Sequence, residues 1–210
     1  MPTTPTTANS PVAMHSFIYL ASQSPRRSQL LEQLGIKHTL LLPMPDEDAE
    51  ALEAVLPAEA PEAYVQRVTA LKLHAAVARL HQRQLPDAPV LCADTTVALD
   101  GVIYGKPQDA DDALGMLRAL CGRTHRVMTA VALGWQGQSL SACSISEVSF
   151  ATTSDHDLRT YIATGEPMGK AGAYAVQGRA AAFISHIQGS YTGIMGLPLF
   201  ETSSLLSQLR

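Results

Sequence analysis

The chain has 210 residues, 46% hydrophobic and 16% charged, with 15 Lys and Arg against 19 Asp and Glu and a formal net charge of −4. That is enough apolar material for one sizeable domain. The acidic balance argues against a protein built to grip nucleic acid, which needs a basic face to neutralise phosphates, and no apolar run approaches the ~20 residues needed to span a bilayer.

Residues 1–14, MPTTPTTANSPVAM, carry no Lys or Arg and no apolar stretch. They fail as a secretory signal and read as a disordered tail, or as residues ahead of a start at Met14. Residues 15–210 read as a single domain without repeat or linker. Cys92, Cys121 and Cys143 are odd in number and lack a C-x-x-C pair, so neither a disulfide framework nor a structural zinc is expected, which fits a cytoplasmic protein.

In chain order, Phe17 to Ala21 is an apolar run that predicts a buried strand. Ser24 followed by Pro25 is an N-cap with proline at the first helical position, and Leu30, Leu31 and Leu34 form the stripe of a helix ended by Gly35. Lys37 to Leu42 predicts a second strand, followed by the acidic loop Asp46, Glu47, Asp48. Glu62 to Gln84 has helical apolar spacing. Val90 to Leu99 predicts a strand, Asp100-Gly101 a two-residue hairpin turn, and Val102 to Tyr104 the returning strand.

Asp109 to Leu120 predicts a helix closed by Gly122. Val127 to Leu133 and Ser139 to Phe150 predict two strands around the turn at 134–137. Ser154 with Asp157 is a capping-box-like start for a helix to about Ala163. A Gly-rich loop follows, then a strand at Ala181 to Ile187, a turn at Gln188 to Gly193, and a final helix from about Leu199.

Three places carry chemistry. Ser22, Ser24, Arg26 and Arg27, between the first strand and helix, offer free N–H groups, hydroxyls and two guanidiniums to an anion, although a capped surface helix with solvated arginines has the same sequence. Asp94 sits in an apolar strand, where a carboxylate needs partners; a strand-end aspartate capping a turn is the plainer alternative. Lys106 lies across the Asp100-Gly101 turn, where an ideal ladder sets it opposite Thr95 and on the other face from Asp94. A bulge at Gly105 would turn it towards the aspartate. Carboxylates near lysines suit hydrolysis of a metal-chelated polyphosphate. His74 and His81 share a helical face without an acidic partner, and no G-x-S-x-G elbow supports acyl transfer.

The segments LASQSPRRSQLLEQLGI, ADTTVALDGVIYGKP, DDALGMLRALCGRTHRVMTAVAL, GEPMGKAGAYAVQGRAAAFI and GSYTGIMGLPLFET resemble, in order, the hallmark segments of the Maf family of nucleotide pyrophosphatases. The resemblance runs from Phe17 to the C-terminal helix. It implies an α/β fold with an elongated, curved mixed β-sheet, flanking helices and two lobes around a cleft, similar to inosine triphosphate pyrophosphatases. The implied activity cleaves nucleoside triphosphates between the α and β phosphates with a divalent cation, Mg2+ or Mn2+.

Carried over by position, Asp94 is the implied proton acceptor, with Lys72 and Lys106 as cationic partners. Glu47 and Asp94 are the implied metal ligands, and Ser22 and Arg27 the substrate-binding residues. Arg26, Thr95 and Gln177 match the set of the dTTP/UTP subfamily rather than that of the 7-methyl-GTP subfamily. Gly169 departs from the family, which usually has Asp there, and the tail before His15 has no counterpart. The family often forms dimers, which leaves a homodimer open. Maf proteins have also been linked to inhibition of septum formation, so a regulatory nucleotide-binding protein is a competing class; Asp94, Lys72 and Lys106 together favour the enzyme. The set at 26, 95 and 177 disfavours a pyrophosphatase for modified purines.

Overall fold

The longest apolar run in the chain, Val90–Leu99, becomes β3 and is buried on both faces except at Thr95, as expected of a central strand. The computed structural model describes residues 17–44, 47 and 51–209; the tail at 1–14 and the acidic positions 46 and 48 lie outside the described residues. β3 is flanked on one side along nearly its whole length by β5 (Thr124–Trp135), antiparallel. β6 (Gln138–Phe150) and β7 (Ile184–Gln188) extend that side. On the other side β1 (Phe17–Leu20) pairs in parallel with Val90 and Leu91 only, and itself carries the parallel strand β2 (Lys37–Leu40). β4 (Val102–Tyr104) returns from the Asp100-Gly101 turn to pair with Val97–Leu99.

The two partners on that side leave a gap. Among the described residues no strand pairs with residues 92–96 of β3 on the β1/β4 side, and Asp94 and Thr95 stand in that gap. Side-chain alternation then sends them to opposite faces. Val90, Cys92 and Ala98 pack with Leu73, Ala76, Val65 and Val68 of α2 (Pro61–Gln82), so Asp94 shares the face covered by α2. Leu91, Ala93, Val97 and Leu99 face away from it. There Leu30 and Leu31 of α1 (Pro25–Gln33) and Leu205 and Leu206 of α6 (Leu199–Gln208) cover one end. Leu114 and Leu117 of α3 (Ala110–Leu120) and Leu158 of α4 (Asp155–Ile162) cover the other. Thr95 is on that face.

Local signals explain most boundaries. Asp109 caps α3 by accepting from Asp112 N, and Ser154 caps α4 by accepting from Asp157 N. Asp100 and Gly101 both adopt positive φ, +51° and +80°, as a two-residue hairpin turn requires. The turn expected over 134–137 narrows to Gln136 and Gly137, because Gly134 belongs to β5 and lies beneath Leu73 and Val77 of α2.

Three expectations are corrected. Ser24 occupies the N-cap position of α1, yet its hydroxyl makes no capping hydrogen bond, and its N–H donates to Ser22 Oγ at 3.1 Å. The strand expected from Ala181 begins at Ile184, because Arg179–Phe183 forms a 3-10 helix; alanines have little strand preference, and Glu166 holds the backbone N–H of Arg179 at 3.0 Å. The expected turn at 188–193 leads straight into the short helix α5 (Tyr191–Met195), capped by Ser190. Among the described residues no helix is long and apolar enough to cross a membrane.

Candidate active site

The gap beside β3 opens into a cavity of about 800 Å³. All nine site residues implied by the family resemblance line it: Ser22, Arg26, Arg27, Glu47, Lys72, Asp94, Thr95, Lys106 and Gln177. They form distinct groups, because the sheet separates Asp94 from Thr95.

On the α2 face, Lys72 extends from the helix and places Nζ 2.6 Å from Asp94 Oδ1 and 2.7 Å from Glu53 Oε1. Glu53 ends a one-turn 3-10 helix, Ala51–Glu53, ahead of α2. Its second oxygen, Oε2, accepts from Lys106 Nζ at 3.1 Å. Lys106 thus reaches the α2 face by leaving the β3/β4 ladder rather than through a bulge in it. Pairing ends at Tyr104, and the carbonyl of Gly105 accepts from the Gly172 N–H at 3.0 Å. Burial pushes the Glu53 carboxyl up, but Lys72 and Lys106 outweigh it and hold the group below the usual carboxylate range. Asp94 and Glu53 help push the Tyr64 hydroxyl to about 12, behind the larger effect of its burial.

On the opposite face, Arg27 is held by three acceptors. Nε donates to Gly196 O at 2.7 Å, Nη1 to Ser22 Oγ at 3.0 Å and Nη2 to Thr95 Oγ1 at 3.3 Å. Thr129 Oγ1 donates to Gly193 O at 2.7 Å. A hydroxyl has one proton, so the 2.9 Å contact between Thr95 and Thr129 runs from Thr95 to Thr129, leaving the Thr95 lone pairs for Arg27. Burial lowers the pKa of Arg27, and Asp94 counters it. Neighbouring Arg26 donates through Nε to Met195 O at 3.3 Å and is lowered by burial alone. The first turn of α1 therefore presents two cations, positioned by backbone carbonyls at the C-terminal end of α5.

Glu47 lines the same cavity, but both its oxygens are taken by Arg79 of α2, with Nε at 2.8 and 3.0 Å and a short contact from Nη2. Those bonds hold its carboxyl down to about 2. Among the described residues no group of three or more His, Cys, Asp or Glu is arranged to hold a metal ion.

The remaining wall is the loop after α4, carrying Gly169, Lys170, Tyr174 and Gln177. Glu166 braces it, accepting from Tyr161 OH at 3.0 Å and from Arg179 N at 3.0 Å. Gly172, at φ +68°, packs so closely on Val97 that a Cβ would lie 2.9 Å from its Cγ1, so only glycine lets the loop approach β3. Lys170 is lowered chiefly by burial, with Arg26 adding to it. Gly169 has φ +72° with open space around it.

The residues missed from the sequence are Glu53, Arg79, Thr129 and Lys170. Thr129 was recoverable, because the pairing of β3 with β5 sets it opposite Thr95. Glu53 carried no local signal, lying in an acidic, Ala-rich stretch that reads as a solvated loop.

Residues 17–209 match the family model described as Maf-like protein. A protein of Albidiferax ferrireducens named dTTP/UTP pyrophosphatase is 66% identical over 193 residues, covering 92% of this chain and 96% of that one. Proteins of the same name from Polaromonas sp. and Ralstonia nicotianae are 62% and 60% identical, over 90% and 93% of this chain and 94% and 95% of theirs. Among solved structures, a nucleoside-triphosphatase/dITP/XTP pyrophosphatase of Mycobacterium abscessus is a looser match, with a TM-score of 0.40 and 18% identity over 64% of this chain and 74% of that one.

Proposed function

The chain belongs to the Maf-like protein family, and from that premise we propose that it hydrolyses dTTP and UTP, and modified pyrimidine triphosphates of similar shape. Cleavage falls at the α–β phosphoanhydride bond and gives the nucleoside monophosphate and diphosphate. The names and identity of its relatives support the substrate class. The observation that carries the chemistry is the buried carboxylate of Asp94, fixed 2.6 Å from Lys72 in a cavity lined by Lys106, Arg26 and Arg27.

In this reading Asp94 takes the proton of the attacking water. A positioned general base typically contributes ~10²–10⁴-fold. Lys72 and Lys106 stabilise charge developing on the leaving diphosphate, while Ser22 and Arg27 hold phosphate oxygens nearer the nucleoside. Arg26 and Gln177 read the base, and Thr95 acts through Arg27.

A divalent cation, Mg2+ or Mn2+, fits this donor set when substrate completes it. Such ions are commonly held by one or two carboxylates plus phosphate oxygens, and Asp94 supplies a carboxylate on the cavity wall. Glu47 would join it only by leaving Arg79. When bound, the ion would polarise phosphoryl oxygens.

The test is a panel of canonical and modified triphosphates assayed for diphosphate release. Release from dTTP and UTP well above that from purine triphosphates is expected. Orthophosphate release, or preference for purines, would overturn the reading.

A further inference from the structure

Glu53 grips two cations at once. Its two oxygens are forked between Lys72 Nζ at 2.7 Å and Lys106 Nζ at 3.1 Å, the arrangement that two oxygens of a phosphate would offer to the same pair. The lysines come from α2 and from the segment after β4, so this one carboxylate joins two walls of the cavity.

The mounting of Glu53 is firm at the backbone. Its carbonyl accepts from Tyr64 OH at 2.8 Å, and the next carbonyl, that of Ala54, accepts from Arg67 Nη2 at 2.8 Å. Arg67 is itself fixed by Glu59 through bonds of 2.6 and 2.7 Å. The segment is thus pinned to α2 at Glu53 and at the residue that follows it, while the Glu53 side chain is still partly exposed.

Charge makes the consequence plain. With Asp94 also on Lys72, two carboxylates offset the two ammoniums, and both lysines are freed for an incoming anion only when Glu53 withdraws. We infer that Glu53 is an internal stand-in for a phosphate group: it holds Lys72 and Lys106 and competes with the diphosphate portion of the substrate, and with product diphosphate, for the same two cations. The inference rests on the reading of the lysine pair as a phosphate site. It assigns Glu53 a positive use, because a carboxylate waiting beside the lysines keeps the product from lingering on them.

The experiment is calorimetric titration of inorganic diphosphate, at low ionic strength with a chelator present, into the full chain, Glu53→Gln, Glu53→Ala and Lys72→Ala. Glu53→Gln keeps the side chain's length and loses its charge, and Glu53→Ala removes it. Both are expected to bind diphosphate about tenfold more tightly than wild type, and Lys72→Ala to bind it more weakly. Unchanged or weaker binding in the Glu53 variants, with wild type binding normally, overturns the inference and leaves the phosphate site standing; that is also the result expected if Glu53 serves only as a metal ligand. No diphosphate binding by any of the proteins overturns the phosphate site and the inference together.

Discussion

Asp94 and Lys72 meet across the interface of β3 and α2 at 2.6 Å, on the one stretch of β3 where the β1/β4 side has no strand partner among the described residues. The carboxylate is therefore buried enough to need a cation and open enough to meet a ligand. Asp94→Asn keeps the shape and still accepts a hydrogen bond from Lys72, but an amide does not take up water's proton. Turnover is expected to fall ~10²–10⁴-fold with the melting temperature nearly unchanged. Diphosphate release and thermal unfolding on the same preparation check it, and turnover near wild type would remove Asp94 from the role of base.

Lys72 and Lys106 differ in depth. Lys72 touches Asp94 and Glu53, whereas Lys106 is more than half exposed, at 54%, and touches Glu53. An electrostatic contact is stronger where water is excluded. Lys72→Ala is therefore expected to lower kcat more than Lys106→Ala does, and both are expected to lower kcat more than they raise KM, because the charge they meet grows in the transition state. Equal KM increases with kcat intact would make them binding residues only.

The reach of the sequence follows the range of the interactions. β3, the Asp100-Gly101 turn and the N-cap of α4 were legible, since each is set by neighbours a few positions away. Asp94 was legible as a carboxylate in need of partners and Thr95 through the family resemblance, and alternation along β3 sends the two to opposite faces. The direction of Lys106 was not, because it depends on Gly105 meeting Gly172, a contact between two loops. Glu53 was hidden for the same reason: its partners lie 19 and 53 positions away. The Glu47–Arg79 pair spans 32 positions, and no local pattern announces that an acidic-loop residue will fold back onto a helix.

His125 gives the fold a pH dependence of its own. Its Nε2 lies 2.8 Å from Tyr174 OH, its ring is edge-on to Phe150 and Tyr174, and burial lowers its pKa to about 4 from the ordinary 6.5. The unfolded chain takes up that proton first as the pH falls. Stability from keeping the ring neutral is therefore complete above about 6.5 and is lost as the pH drops through about 4. His125→Phe is expected to flatten this part of the melting-temperature profile. At neutral pH it costs about 1–3 kcal/mol, because the buried Tyr174 hydroxyl loses its partner. An unchanged slope between those pH values would mean that His125 does not titrate with unfolding.

Base choice is expected to rest on Arg26 and Gln177, which both line the cavity. Uracil and thymine present a ring N–H between two carbonyl oxygens, and the Gln177 amide matches an N–H and an adjacent carbonyl together. Gln177 alone is a weak filter, because its amide flips to suit cytosine. Arg26 has no such freedom. It only donates, and its Nε is committed to Met195 O at 3.3 Å, which fixes the direction of the guanidinium. Where cytosine replaces a carbonyl with an amine, two donors face each other in a partly dry site, at a cost of about 1–3 kcal/mol, or about 5- to 150-fold in the ratio of kcat/KM for UTP over CTP. The thymine methyl adds a favourable contact of about 1–3 kcal/mol, so dTTP should not fall behind UTP. Arg26→Ala is expected to bring the UTP/CTP ratio towards one, and Gln177→Glu to weaken both pyrimidines with UTP losing more, because the carboxylate accepts from the ring N–H but has no donor for the carbonyl. Wild-type protein that hydrolyses CTP as well as UTP would show that these two residues do not read the base, even with diphosphate release intact.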